Sequence, residues 1–192
     1  MADKISVPLF KLTIPLGAFT VLVGQNGCGK TTVLRAVRER WCNENASTLA
    51  GRLAAYRYVD AIIPPGQAQT RYSCGGGLYV HDVIVAALTA SHERMPCVFD
   101  NFGTGLHPVT IARLVTALRE IGAQVVAATH SPDVADCLTH AEVIVMHGGK
   151  ARPLSDHPES AKWSHLTRTG EFWSTVGESW VSDPKENAPV GE

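Results

Sequence analysis

Chemistry in this chain is concentrated first at Gly24-Gln25-Asn26-Gly27-Cys28-Gly29-Lys30-Thr31, which has the spacing G-x-x-x-x-G-K-T and is followed by Thr32. Glycines at 24, 27 and 29 allow φ > 0 and let the backbone approach a ligand with no Cβ in the way. The amides of such a loop, backed by a helix N-terminus, aim partial positive charge at phosphate oxygens. Lys30 would reach the β- and γ-phosphates of a nucleoside triphosphate, and the Thr31 hydroxyl would ligate Mg²⁺. A second position is Asp100, which ends the apolar run Cys97-Val98-Phe99. Its carboxylate would reach the same magnesium, directly or through water, although an Asp at a strand end can equally serve as a turn or cap residue. A third is His130, which follows Val125-Val126-Ala127-Ala128. Ligands of open α/β sheets bind at the C-terminal edge of such strands.

These positions need strands and helices to carry them. Phe19–Val23 is apolar and β-branched, as a buried parallel strand should be, and it runs directly into Gly24. From Lys30, the spacing of Val33, Leu34, Val37 and Trp41 predicts a helix. Strand, glycine loop and helix are the context in which the loop pattern becomes a site. Ile5–Leu12 is expected to be an opening edge strand, Tyr56–Ile63 a further strand closed by Pro64-Pro65-Gly66, and Glu142–Met146 a last strand that turns out through His147-Gly148-Gly149-Lys150. Val80, Val83, Ile84, Ala87 and Leu88 fall at helical spacing. So do Ile111, Leu114, Val115 and Leu118, in a helix that follows Pro108 and ends near Gly122. The fold class expected is α/β, a P-loop NTPase with a mostly parallel sheet flanked by helices.

Three further motifs join the phosphate loop. Cys97 to Pro108 holds Asp100-Asn101 and the turn Gly105-Leu106-His107-Pro108, Ala127 to Pro132 holds Thr129-His130-Ser131-Pro132, and Tyr72-Ser73-Cys74-Gly75-Gly76 stands a little under thirty residues before Asp100. Together they resemble the ABC-type ATPases in the broad sense, over about residues 5–150. Asn26 in the loop, the Gly-Leu-His-Pro turn and the Thr-His-Ser-Pro switch resemble the branch that holds the SMC and RecF heads and the OLD-like (overcoming lysogenization defect) ATPases of phage defence. The resemblance implies that His130 contacts the γ-phosphate, the alternative being a satisfied loop residue. It implies that Ser73 and Gly75 belong to a signature loop that binds the nucleotide held by a second subunit, the alternative being a flexible turn. His107 is expected to close its turn structurally. Gln67 and Gln69 are candidates for a magnesium-sensing loop or an exposed polar loop.

Two departures from the family pattern matter. The residue after the strand-end Asp is usually a Glu that activates water; here it is Asn101. A neutral amide can hold a water but cannot accept its proton. In the family such replacements imply slow hydrolysis and long-lived ATP-bridged dimers. Little more than forty residues separate Thr31 from Ser73, too few for the coiled coil of SMC heads or the helical subdomain of transporter subunits.

The chain of 192 residues carries a net charge of −1 and five scattered cysteines. It has no basic field for nucleic acid, which would be met only indirectly or through a partner. Neither a transmembrane stretch nor a signal peptide is read from it, and the odd cysteine count points to a reducing cytoplasm. Residues 1–154 are expected to form the ATPase core. Residues 155–181 would be an aromatic docking segment after a linker-like Ser155–Ser160, and residues 182–192 a frayed tail. The resemblance implies ATP and Mg²⁺ as ligands, an ATP-bridged homodimer, and a separate effector protein, a nuclease for example, gated by slow hydrolysis. A non-hydrolysing ATP-dependent switch, a small-molecule P-loop kinase and a transporter subunit are the alternatives.

Overall fold

Phe19–Gly24 lies in the middle of the molecule because its residues are buried on both faces. The structure is a computed structural model that describes residues 4–7, 12–15, 19–44, 80–81, 83–85, 87–88 and 96–182. In chain order the strands are β1 (Lys4–Val7), β2 (Leu12–Pro15), β3 (Phe19–Gly24), β4 (Cys97–Phe99), β5 (Val125–Ala128), β6 (Val143–His147) and β7 (Lys150–Pro153). The helices are α1 (Lys30–Glu44), α2 (Pro108–Glu120), α3 (Pro132–Ala135), α4 (Ser160–Trp163) and α5 (Thr169–Val176). A five-stranded sheet has the order β4-β5-β3-β6-β7; the first four strands are parallel and β7 is antiparallel to β6. The fold is therefore α/β, a mostly parallel sheet with helices on both faces.

Alternation along the strands divides the core in two. Val21 and Val23 of β3, Val125 and Ala127 of β5, and Val143 and Val145 of β6 face one side with Phe99, Phe102, Ile111, Leu114 and Leu118. Leu22, Val126, Ala128, Ile144 and Met146 face the other, where Val33, Leu34 and Val37 of α1 cover them. A sheet buried on both faces requires near-continuous apolar strands, as the sequence shows. Residues 80–88 are helical where described, with Val83 and Ala87 buried in the first of these clusters.

The N-terminal strand differs from expectation. Instead of one strand over Ile5–Leu12, β1 and β2 pair antiparallel as a separate two-stranded sheet, with Lys4 opposite Pro15 and Val7 opposite Leu12. Pairing lets the two short segments satisfy backbone N–H and C=O groups of each other. The chain also stays in the sheet after His147. Gly148 and Gly149, with φ of 55° and 75°, make the tight turn that reverses β6 into β7. The segment expected to be a linker is structured too: Leu154–Asp156 is a 3-10 turn with Leu154 fully buried, and α4 starts at Ser160. The Tyr56–Ile63 strand and the tail beyond Ser182 lie outside the described residues. No described helix is long and apolar enough to cross a membrane.

The aromatic segment docks on this domain's own surface. Phe172 stacks on His140 with centroids 4.8 Å apart, and His157 meets Phe172 and Trp180 edge-on at 5.3 and 5.1 Å. Burial pushes the His140 imidazole pKa down, and its Nδ1 lies 2.7 Å from Ser160 Oγ. Phe172, Trp173, Trp180 and Val181 belong to the same apolar cluster as β3. Phe172→Ala should therefore lower stability by about 3–5 kcal/mol, whereas Leu166→Ala, at an exposed position, should change it by less than about 0.5 kcal/mol. Denaturant midpoints of the two variants check this; equal midpoints would remove α5 from the core.

Candidate nucleotide-binding site

Three neighbouring parallel strands, β4, β5 and β3, end at the same edge of the sheet, and each delivers one part of the site. β3 ends in Gly24, whose φ is 141°. A Cβ there would collide with the carbonyl oxygen of Met146 on β6, so only glycine fits. Gly27 and Gly29 also have positive φ, 79° and 102°. Cys28 closes the turn by donating its N–H to Gln25 O at 3.3 Å, and α1 starts at Lys30. Gln25, Asn26 and Gly27 are exposed on the outside of the loop, as is Thr32 on the first turn of α1. The Lys30 ammonium is nearly buried and folds back across the loop, donating to Gly24 O at 2.7 Å and Gln25 O at 2.9 Å, with Cys28 Sγ at 3.7 Å.

Asp100 follows β4 and is 6% exposed. Thr31 Oγ1 donates to its Oδ2 at 2.6 Å, and the Asn101 N–H donates to its Oδ1 at 3.0 Å. Two hard oxygens from distant points of the chain thus converge beside Lys30, which is the donor chemistry Mg²⁺ takes. The residues present fit that ion, which Thr31 and Asp100 would hold. Asn101 has φ 53°, a left-handed conformation in which asparagine is several-fold enriched among non-glycine residues. Its side chain is exposed beside the carboxylate.

β5 ends in Thr129, which is fully buried and joins the three strand ends. Its N–H donates to Leu22 O at 3.0 Å, its Oγ1 donates to Phe102 O at 2.7 Å, and that same oxygen accepts the Ser131 N–H at 3.1 Å. Phe102 N–H in turn donates to Ala128 O at 2.8 Å. His130 is left at the surface of this edge. Its pKa is lowered by partial burial and by the Lys30 charge, against the opposing pull of Asp100 and Glu178. His130 follows Thr129 directly, and the bonds of Thr129 to Leu22 and Phe102 put it at the edge that carries the phosphate loop and the carboxylate. A lowered pKa means a neutral imidazole near neutral pH. The folded state then binds its proton less readily than the unfolded chain, so this contribution to stability is present above the ordinary value near 6.5 and is lost as pH falls through the lower folded value.

The structure thus brings together Gly24 to Thr31, Asp100, Asn101 and His130. His107 caps α2, its Nδ1 accepting the Val109 N–H at 3.3 Å, which is the structural part expected of it. Ser73, Gly75, Gln67 and Gln69 lie outside the described residues. Two residues at this edge had no role in the sequence analysis. Thr129 stood inside a motif, where a threonine at a buried strand end is a readable sign. Glu178 is 48 positions from His130 in the chain, and nothing local signals that the two act on each other.

Comparison with known proteins agrees with this geometry. Residues 9–52, which contain β3, the glycine loop and α1, match the ABC transporter family. Over 89 residues the chain is 35% identical to a "Probable siderophore transport system ATP-binding protein YusV" of Bacillus subtilis (strain 168), a match covering 43% of this chain and 30% of that protein. The chain therefore aligns with about a third of the length of this curated relative. Both similarities point to the ABC ATPase superfamily, each over less than half of the chain.

The electrostatics at His130 can be read directly. Replacing the Lys30 charge, as in Lys30→Met, should raise the His130 midpoint toward its ordinary value, because a like charge no longer opposes the proton. Titration of the His130 ring protons by NMR checks the sign; an unchanged or lowered midpoint would separate His130 from the phosphate loop.

Proposed function

We propose that this chain is an ATP-binding and slowly hydrolysing subunit, two copies of which close around ATP and gate a separate effector protein. The observation that carries this is the convergence of Lys30, Thr31, Asp100 and His130 at one strand edge, with Thr31 and Asp100 joined at 2.6 Å. The glycine loop would cradle the phosphates, and Lys30 would turn from the loop carbonyls to the β- and γ-phosphates. Thr31 and Asp100 would hold magnesium, which neutralises charge on the transferring phosphoryl group. The neutral His130 ring can donate an N–H to a γ-phosphate oxygen. Asn101 orients a water and leaves it without a proton acceptor, which makes turnover slow. A non-hydrolysing switch is the limiting case of the same chemistry.

The Gly105–Pro108 turn and the Thr129–Pro132 switch favour the SMC, RecF and OLD-like branch, and with it a cytoplasmic role in phage defence or another DNA-related process. Ser73 and Gly75 would then meet the nucleotide held by the other copy, so that each ATP bridges two chains about a two-fold axis. The effector, such as a nuclease, would contact any nucleic acid, since the chain itself has a net charge of −1. The name of the Bacillus relative favours a transport subunit instead. The short interval from Thr31 to Ser73 weighs against that, because a helical subdomain does not fit in it.

Lys30→Ala removes a charged contact to the transferring phosphate and should weaken ATP binding and abolish hydrolysis. Nucleotide titration with Mg²⁺ tests this; unchanged affinity would end the phosphate-loop assignment. Light scattering should show a dimer with ATP–Mg²⁺ and a monomer with ADP, since binding that favours the dimer makes association depend on ATP. A monomer at saturating ATP contradicts self-association.

Asn101→Asp keeps a residue type that tolerates the left-handed backbone and adds a proton acceptor. It should raise turnover by about a hundredfold if the missing base limits the rate. A wild-type rate already on the order of 1 s⁻¹ would place the base elsewhere.

A further inference from the structure

The C-terminal segment is built against the switch at the start of α5. α3 continues directly from His130-Ser131, so whatever holds α3 holds the histidine. α5 rests on it: Thr169 Oγ1 donates to Leu138 O at 2.6 Å, and the Gly170 N–H donates to Asp136 Oδ1 at 2.8 Å. A Cβ on Gly170 would collide with the Pro132 carbonyl oxygen and stand 2.8 Å from Asp136 Oδ1. Glycine within a helix costs about 1 kcal/mol relative to alanine, and here it permits backbone contact two residues beyond His130. At the other end Gly177, with φ 66°, stops α5. Glu178 follows it, and its negative charge acts on the His130 imidazole with that of Asp100 and against the positive charge of Lys30. Trp180 and Val181 are buried just beyond, with Arg152 5.4 Å from the Trp180 ring and Trp180 Nε1 donating to Gly177 O at 3.2 Å. Glu178 is thus fixed between an anchored pair and a helix seated on the switch.

We propose that residues 169–181 are the positioning element of the His130 switch, Gly170 seating the segment against the Pro132 carbonyl and Asp136, so that γ-phosphate contact and the C-terminal segment are coupled. The coupling is reciprocal: a contact that pulls on His130 must be felt at Trp173 and Trp180, and a change in the segment must alter how strongly the triphosphate is preferred over the diphosphate. It rests on His130 as the γ-phosphate contact in the function proposed above.

The full chain is titrated with ADP and with a non-hydrolysable ATP analogue, in the presence of Mg²⁺, while tryptophan fluorescence is followed. In the wild type the analogue should change the emission and ADP should not; His130→Ala should abolish that difference. Gly170→Ala should lower the preference for the analogue over ADP by about tenfold while ADP affinity stays within about twofold. Asp136→Ala removes the acceptor of the Gly170 N–H without adding bulk, so it serves if Gly170→Ala fails to fold. It should lower the same preference, with Asp136→Asn, which keeps an acceptor oxygen, recovering part of it. Wild-type preference in Asp136→Ala, or an emission change that survives in His130→Ala, overturns the coupling while leaving the nucleotide site intact. A wild-type chain that binds neither nucleotide overturns the site assignment and this inference with it.

Discussion

A hydroxyl and a carboxylate 69 residues apart can meet at 2.6 Å only if two strands end at the same height. β5 sets that height. Its Val125 pairs with Phe19 of β3 on one side and with Cys97 of β4 on the other. From that common rung the strands run up together to Gly24, Asp100 and Thr129. A one-residue slip on either side would turn every apolar side chain of that strand to the wrong face. Burial of both faces therefore holds the register, and the register holds the site.

The polar bonds at the edge extend this constraint past the last strand residues. Thr129 is the junction: its N–H reaches Leu22 on β3 and its hydroxyl reaches Phe102 beyond β4. Each of these buried groups has a partner, and breaking one leaves an unsatisfied group at a cost of about 1–3 kcal/mol. The result is a stiff platform in which Lys30 and Asp100 are buried and on which Asn101 and His130 are exposed. Lys30 lowers the proton affinity of His130 while Asp100 and Glu178 raise it. Around Asp100, the left-handed turn at Asn101 aims a backbone N–H at one carboxylate oxygen and leaves the other to Thr31. Asparagine at this position has a backbone role as well as a chemical one.

The C-terminal third of the molecule belongs to the same core. Leu154, Phe172 and Trp180 pack with the strand residues that carry the site. The stacked and edge-on contacts among His140, His157, Phe172 and Trp180 fix how α5 lies, and α5 in turn lies on α3. A sheet whose site sits at one edge needs its helical layers to be firm at that edge, and here the aromatic segment supplies one of them.

Local chemistry made much of this protein legible from the sequence alone. The glycine loop, the strand before it and the helix after it depend on residues within about one helical turn of each other. The apolar runs of β3, β4, β5 and β6 and the apolar face of α2 follow from periodicity. Asp100 and His130 are legible because each follows such a run, and Asn101 because it stands where the resembled family has Glu. The Gly148-Gly149 turn is equally legible, but its return of the chain to the sheet as β7 is not. Other features had no local sign. That Thr31 touches Asp100 depends on the strand order β4-β5-β3, which is settled by which apolar faces bury one another. That β1 and β2 pair with each other, that the aromatic segment closes on its own domain, and that Glu178 acts on His130 all depend on packing beyond each segment. Sequence patterns report what each segment does with its own neighbours; contacts between distant segments are decided by the one arrangement that buries all their apolar faces together.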